Sequence, residues 1–252
     1  MADKIELSLV IPVYNEEESL VFLQDEIAKA MKPLSLKYEV IYVDDGSTDS
    51  SLDILRKLSG RYANVKVISF MENCGQSAAF YAGFRQARGG WIATLDADLQ
   101  NPPSEISKLL EFKNEADFIT GIRTRRKDSF LRKVSSKIAR VSRYFILGDT
   151  TRDIGCSLRI FKKKVIESIP FFRNFHRFFT LLAKDAGFKI KEVEVMHMSR
   201  RRGKSKYGTL KRAIEGVFDL FGVFWLRKRP IFYVKKNIDA THNGNAYFRD
   251  DL

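Results

Sequence analysis

The residues with the clearest chemical potential are Asp96 and Asp98, in the run Trp91-Ile92-Ala93-Thr94-Leu95-Asp96-Ala97-Asp98-Leu99-Gln100. An apolar, β-prone stretch ends in two carboxylates one residue apart, with the Gln100 amide two further on. Residues i and i+2 of a strand point to the same side. Both carboxylates can therefore converge just past the strand's carboxyl end, where open α/β sheets bind ligands. Two hard oxygen donors suit Mg²⁺ or Mn²⁺, which is usually held by one or two carboxylates plus substrate phosphates. A solvated acidic turn before Pro102-Pro103 fits the same short pattern, so the motif alone does not choose. Two further clusters precede it: Pro12-Val13-Tyr14-Asn15-Glu16 and Asp44-Asp45-Gly46-Ser47. An aspartate accepting from a base N–H, an aromatic ring stacking on the base and a metal-binding carboxylate pair would together form a nucleoside-diphosphate site. Asp-Gly-Ser by itself is a common turn; the three clusters in this order are more specific.

These clusters have to be carried by strands that end along one edge. Leu7 to Val13 reads as a buried strand, with a helix from about Glu17 to Met31. Tyr38 to Val43 is a second strand, and its Ser/Thr/Asp cluster can cap a helix through Leu52, Leu55 and Leu58. Val65 to Phe70, Trp91 to Leu95 and a segment beginning at Asp117 continue the strand series, and Ser77 to Ala87 forms a small-residue helix able to pack closely on a sheet. Alternating strand and helix signals with near-continuous apolar strands predict a doubly wound, parallel α/β sheet. Ile190 to Met196 reads as a late strand.

Charge divides the chain. Residues 1–120 hold 12 Lys/Arg against 19 Asp/Glu, whereas residues 121–236 hold 31 against 9. A basic back half implies an anionic partner: nucleic acid, an anionic membrane surface or a phosphorylated substrate. Nucleic acid is disfavoured, since the basic residues lack the aromatic spacing of a stacking platform. Phe130, Val134, Ile138, Val141 and Phe145 recur at helical spacing between basic residues. Such a stripe either packs on the core or lies at a lipid headgroup surface. Phe171, Phe172, Phe175, Phe178 and Phe179 are either core or the wall of a groove for an apolar chain. Cys74 and Cys156 read as unreactive, and their number fits a reducing cytosol. His176, His197 and His242 lack metal-ligand spacing. No signal peptide is expected, and no window reaches the roughly 18 apolar residues of a spanning helix; the nearest, Ala213 to Leu226, is interrupted by Glu215 and Asp219.

Ile11 to Glu16, Val43 to Asp49, Asn73-Cys74-Gly75 to Gly83 and Leu95 to Gln100 together resemble the signature of family-2, GT-A-fold glycosyltransferases. The likeness is strongest to the dolichyl-phosphate mannose synthase and bacterial polyprenyl-phosphate glycosyltransferase branch. It covers residues 5 to about 226 and implies a GT-A, Rossmann-like, mostly parallel sheet with helices on both faces and C-terminal amphipathic interface helices. By resemblance, Pro12, Tyr14, Glu16 and Asp44 or Asp45 hold the nucleotide. Asp98, Asp96 and Gln100 handle Mg²⁺ or Mn²⁺ and the diphosphate. Asp153 to Arg159 resembles the acceptor-side segment, and Arg202-Gly203-Lys204-Ser205-Lys206 the phosphate-gripping loop. Many relatives carry a second acidic residue where this chain has Cys156-Ser157, which leaves Asp153 the one nearby candidate base. Bacterial relatives continue into transmembrane helices where this chain has a polar tail. Attachment is therefore expected through surface helices or a membrane partner subunit, at the cytoplasmic face, with a homo-oligomer as a further candidate assembly.

The implied reaction moves a sugar from a UDP- or GDP-linked donor to undecaprenyl or dolichyl phosphate. A cation on Asp98, with Arg202, Lys204 and Lys206, would stabilise the departing diphosphate. A phosphomonoester acceptor, with a second pKa of about 6, is mostly ionised at neutral pH and needs no strong base. Single displacement would give a β-linked product from an α-linked donor. The alternatives are a soluble family-2 enzyme acting on a saccharide or glycolipid hydroxyl in cell-surface polysaccharide synthesis, and a non-catalytic nucleotide binder. The expected division is a GT-A domain over residues 1–208, an interface-helix region over 209–236 and a polar tail over 237–252.

Overall fold

The structure is a computed structural model that describes residues 4–124, 130–198 and 209–229. Strand and helix alternate in the first half: β1 (Leu7–Val13), α1 (Leu20–Met31), β2 (Tyr38–Asp44), α2 (Ser51–Arg61), β3 (Val65–Ser69), α3 (Gln76–Gln86), β4 (Trp91–Thr94), α4 (Glu105–Leu110) and β5 (Phe118–Arg123). There follow α5 (Phe130–Leu147), β6 (Arg159–Lys162), α6 (Lys164–Ser168), α7 (Phe179–Asp185), β7 (Ile190–Val195) and α8 (Thr209–Arg227). The seven strands form one sheet in the order β3-β2-β1-β4-β6-β5-β7.

The sheet is mixed rather than wholly parallel. β6 runs antiparallel to both β4 and β5, and the other pairings are parallel. The strand expectation missed β6 because it is four residues long with a charge at each end, Arg159-Ile160-Phe161-Lys162, too short for a periodic signal. α1 starts at Leu20 rather than Glu17, because the Glu16 and Glu17 amides bond instead to Ser51 Oγ at 2.8 Å and Asp49 Oδ2 at 3.3 Å.

Helices cover both faces. On one, Leu20, Leu23 and Ile27 of α1, Leu55 and Leu58 of α2 and Ile106 and Leu109 of α4 pack with Leu9, Ile11, Val40 and Tyr42 of the strands. On the other, α3 lies tight on the sheet at Gly83, where a Cβ would fall 2.3 Å from Val10 Cγ1. The phenylalanine run joins this second face. Phe179 sits 4.8 Å from Phe161 and 4.9 Å from Phe118, ring centre to ring centre, and Phe175 meets Phe84. Edge-to-face packing of this kind adds about 0.5–1.5 kcal/mol per pair beyond area burial. Phe175, Phe178 and Phe179 are buried core and do not wall an open groove.

The chain divides into two compact units: residues 1–129 with 151–205, and residues 130–150 with 206–252. The first holds the sheet. Within the second, α5 packs on α8, and the described part of α5 exposes several apolar side chains while burying a charged one. Ile138, Val141 and Phe145 are exposed, Phe145 at 79%, while Arg143 is buried in an ion pair with Asp149. α8 buries Leu220 and Val223 and exposes Phe218, Phe221 and Trp225. Among the described residues no helix is long and apolar enough to cross a membrane.

Candidate active site

The acidic clusters meet along the carboxyl edge of β1, β2 and β4. β1 pairs with β4 only as far as Val10↔Thr94 but with β2 to Val13↔Asp44. Alternation turns the Pro12 nitrogen toward the β4 side, where β4 has already ended, so a residue without an N–H fits there. The loop after β1 is then joined to the loop after β2. Asn15 N donates to Ser47 Oγ at 2.9 Å, and Thr48 N donates to Asn15 Oδ1 at 2.7 Å. Ser19 Oγ donates to the Ala97 carbonyl at 2.8 Å, which ties this pair of loops to the Asp96-Ala97-Asp98 turn. Tyr14 and Glu16 are half-buried between these anchors.

The tandem aspartates do different work. Asp44 closes the β2 turn, accepting from Ser47 N at 3.3 Å and Ser69 Oγ at 3.0 Å. Asp45 accepts from Cys74 N at 2.7 Å, Gly75 N at 3.0 Å and Asn73 Nδ2 at 3.1 Å, holding the loop before α3. Burial pushes the Asp45 carboxyl up, against the pull of the two amides. Gly46 makes the approach possible: its φ is +67°, and a Cβ would sit 2.4 Å from the Glu72 carbonyl carbon, so only glycine fits.

Asp96 and Asp98 follow β4. Asp96 accepts from Gln76 Nε2 at 2.9 Å. Burial, then the Asp98 charge, push its carboxyl up to about 6, while a Ser157 hydrogen bond and the Arg159 and Arg123 charges oppose the rise. Asp98 Oδ1 accepts from Gln100 N at 3.1 Å across a turn in which Leu99 takes φ +60°. The Gln100 carbonyl accepts from Met198 N at 2.8 Å. Asn101, buried beside it, donates to Ser157 Oγ at 2.9 Å and lies 3.4 Å from His197 Nδ1. Among the described residues no group of three or more His, Cys, Asp or Glu gathers as a ready metal cage. Two neighbouring carboxylates at a strand end, Asp96 held up by burial and by the Asp98 charge, instead fit a cation that completes its shell with phosphate oxygens.

The neighbouring strands bring arginines to the same edge. Because β6 is antiparallel, its first residue, Arg159, pairs with Thr94 at the end of β4. Arg159 is buried, donates to the Ile154 carbonyl at 3.2 Å and packs over the Phe179 ring; its Nε has no hydrogen-bond partner among the described residues. Burial lowers its pKa, against the attraction of Cys156, Asp96 and Asp153. Arg123, at the end of β5, was not foreseen. It grips Asp153 with Nε at 2.8 Å and Nη2 at 2.8 Å, and its own backbone N–H adds 3.0 Å to Oδ2. Gly155 N adds a further donor to Asp153 Oδ1 at 3.1 Å. The candidate base is thus the anion of a bidentate ion pair. Cys156 is buried with its thiol pushed up to about 11 by burial and by Asp153, which leaves it little thiolate character. Arg202, Lys204, Lys206 and His242 lie outside the described residues. Gln76 and Arg123 were both missed: Gln76 stands just after the Asn73-Cys74-Gly75 motif, and Arg123 carried no signal beyond following an apolar run.

Residues 8–169 match the family model described as Glycosyl transferase family 2. An undecaprenyl-phosphate 4-deoxy-4-formamido-L-arabinose transferase of Serratia proteamaculans is 39% identical over 216 residues, which cover 85% of this chain and 66% of the relative. A dodecaprenyl-phosphate galacturonate synthase of Rhizobium johnstonii is 39% identical over 232 residues, 89% of this chain and 68% of the relative. The chain thus spans about two thirds of the length of these curated relatives. Among solved structures, glucosyl-3-phosphoglycerate synthase of Mycobacterium tuberculosis with Mn²⁺, UDP and phosphoglyceric acid gives a TM-score of 0.66 at 15% identity, over 98% of this chain and 87% of that one. TarS residues 1–349 of Staphylococcus aureus give 0.59 at 18%, over 88% and 65%. At such identities the likeness is one of fold, and the fold is GT-A. The family model alone takes in well over half of the chain, including the whole acidic edge from Pro12 to Gln100, and on that match the chain belongs to glycosyl transferase family 2.

Proposed function

We propose that this chain transfers a sugar from a nucleoside-diphosphate donor to a polyprenyl phosphate at an anionic membrane surface, with inversion at the anomeric carbon. The observation that carries the reading is the Asp96–Asp98 pair at the carboxyl edge of β4, where burial and then the Asp98 charge raise the Asp96 carboxyl to about 6. The names of the relatives, polyprenyl-phosphate sugar transferases at 39% identity, supply the acceptor class. Neighbours of the same fold bound to Mn²⁺ and UDP support a divalent cation and a nucleotide donor.

In this reading Pro12, Tyr14, Glu16 and Asp44 frame the nucleotide. Asp45 acts one step back, holding the loop of Asn73 to Gly75. Asp98 and Asp96, with Gln100, would hold Mg²⁺ or Mn²⁺, which when bound offsets the charge gained by the departing diphosphate. Arg159 supplies a preorganised positive potential at the neighbouring edge, and Arg202, Lys204 and Lys206 are assigned to the same task. Asp153 is assigned to holding Arg123 in place. An acceptor phosphate, ionised at neutral pH with a second pKa of about 6, attacks without a protein base. Membrane contact is assigned to the exposed apolar faces of α5 and α8. They carry exposed Lys137 and Arg140, and Lys228 and Arg229 lie over the rings of Phe224 and Trp225, an arrangement suited to an interfacial helix.

The test incubates the full chain and Mn²⁺ with labelled UDP- and GDP-sugars, offering undecaprenyl phosphate and soluble saccharides side by side. Label is expected in an acid-labile lipid product. Label on saccharides alone selects the hydroxyl-acceptor enzyme instead. Nucleotide binding with no transfer to either selects a non-catalytic binder.

A further inference from the structure

We propose that Gln76 is a positioning residue of the donor site, whose side-chain amide sets the orientation of Asp96 for the nucleotide-sugar and its cation. The inference deepens the donor-site reading above and rests on it. Gln76 opens α3, directly after Gly75 at φ +91°. Its Nε2 donates to Asp96 Oδ1 at 2.9 Å, a bond between residues twenty apart in sequence.

What makes this contact more than a chance surface hydrogen bond is the rigidity of the turn that delivers it. Before Gln76, Asp45 holds the Cys74 and Gly75 amides at 2.7 and 3.0 Å. After it, Ser77 Oγ lies 2.8 Å from His176 Nδ1, so the first turn of α3 is also tied to the buried phenylalanine cluster. One helical turn and more beyond, Gly83 lets α3 rest against Val10 of β1. β1 is in turn paired with β4, the strand that leads into Asp96. The donor and the acceptor of the Gln76–Asp96 bond are therefore mounted on elements that cannot slide past each other without breaking several contacts. A site held this way keeps its first layer of side chains in working geometry through the layer behind it.

The residue type also fits. A carboxylate offers about four acceptor positions, so the Gln76 amide, together with the Ser157 hydrogen bond, orients Asp96 and leaves capacity for a cation or a sugar hydroxyl. Lysine at position 76 would donate as well, but would place a positive charge where the carboxylate pair has to attract one. Leucine would leave the Ser157 hydrogen bond alone to orient Asp96. A neutral donor orients the carboxylate and preserves its charge.

The experiment titrates the full chain with Mn²⁺, counting free ion by electron paramagnetic resonance, and measures the donor dependence of transfer. Gln76→Leu is expected to weaken Mn²⁺ about tenfold, the effect of losing one oriented hydrogen bond, and to raise the donor KM, with melting within about 2 °C of wild type. Gln76→Lys is expected to bind Mn²⁺ more weakly still while also melting normally. If Gln76→Leu misfolds, Gln76→Asn, which draws the amide back by one methylene, carries the same expectation. Unchanged Mn²⁺ affinity and unchanged donor KM in a folded variant overturn the proposal. Asp98→Ala is the reference: if it too retains full Mn²⁺ affinity, the donor-site reading itself fails and Gln76 has no such role.

Discussion

The two halves of the sheet end in opposite charges, although one edge carries both. The half built of β3, β2, β1 and β4 presents Asp44, Asp45, Asp96 and Asp98; the half built of β6, β5 and β7 presents Arg159 and Arg123. Their neutralisation differs as much as their sign. Among the described residues, Asp44, Asp45 and Asp96 are held by neutral donors: backbone amides and the side chains of Ser69, Asn73, Gln76 and Ser157. Neutral donors fix a carboxylate without cancelling its charge, which leaves the acidic edge fit to attract a cation. On the basic side Arg123 is matched by Asp153, while buried Arg159 keeps an Nε with no hydrogen-bond partner among the described residues and is drawn by the charges of Asp96 and Asp153. One half is built to hold positive charge and the other to present it.

The largest effect expected of this contrast comes from the acidic half. Asp98→Ala should lower transfer by about 10³-fold, the scale of removing a main electrostatic stabiliser of a leaving group, with the melting temperature unchanged. Retained transfer would remove the pair from the chemistry and reduce the contrast to one of surface charge.

Asp153 provides the next test, on the basic half. Removing one partner of a buried ion pair strands the other, at about 3 kcal/mol. Asp153→Ala should therefore unfold at lower denaturant by roughly that amount, because Arg123 is only 15% exposed. Arg123→Met with Asp153→Asn should recover much of the stability, since two neutral groups replace the stranded charge. An Asp153→Ala variant of normal stability with no transfer would instead restore Asp153 as a base.

The contrast was only half legible in the sequence, for physical reasons. β1, β2 and β4 are apolar runs ending in carboxylates, so both the strands and the direction of their chemistry could be read. Arg159 was placed at the site by resemblance, but its position depends on β6 running backwards, and four residues with charged ends carry no period that shows it. Arg123 and Gln76 act through partners thirty and twenty residues away, and nothing in either residue's type announces such a partner. In α5 the periodicity identified a helix but not which side faces inward. Its buried side carries Arg143, made tolerable by Asp149 two residues beyond the helix.

The ends of the strands opposite the site repeat the comparison on a smaller scale. Fully buried Glu39 of β2 accepts from Ser8 of β1 at 2.8 Å, from the Arg88 amide at 2.8 Å and guanidinium at 3.0 Å, and pairs with Lys66 of β3. Burial disfavours its charge, yet these donors outweigh burial and its pKa falls below the usual range. A carboxylate with a lowered folded-state pKa binds fewer protons folded than unfolded. Its stabilisation is complete above the ordinary glutamate pKa and is lost as pH falls through the folded value. Glu39→Gln should cost about 2 kcal/mol at neutral pH and flatten the acid limb of the stability curve measured by urea melts at stepped pH.

Asp117 is the corresponding clasp of the other half and should matter least. It accepts from Lys162 Nζ of β6 at 2.7 Å and from Lys189 N at 3.0 Å, just before β7. The Lys162 hydrogen bond, then the Lys189 amide against a small burial penalty, hold its carboxyl below the usual aspartate range. The sign of the pH dependence is therefore the same as for Glu39, with loss of stability on acidification through the lowered value. The size is not, because Asp117 and Lys162 are 29% and 46% exposed, so water and salt screen the pair. Asp117→Asn should cost about 0.5 kcal/mol, and 1 M salt should shrink that difference while leaving the Glu39→Gln difference nearly intact. Equal salt sensitivity in the two variants would mean that the halves are clasped alike, and that their contrast is confined to the edge where the chemistry sits.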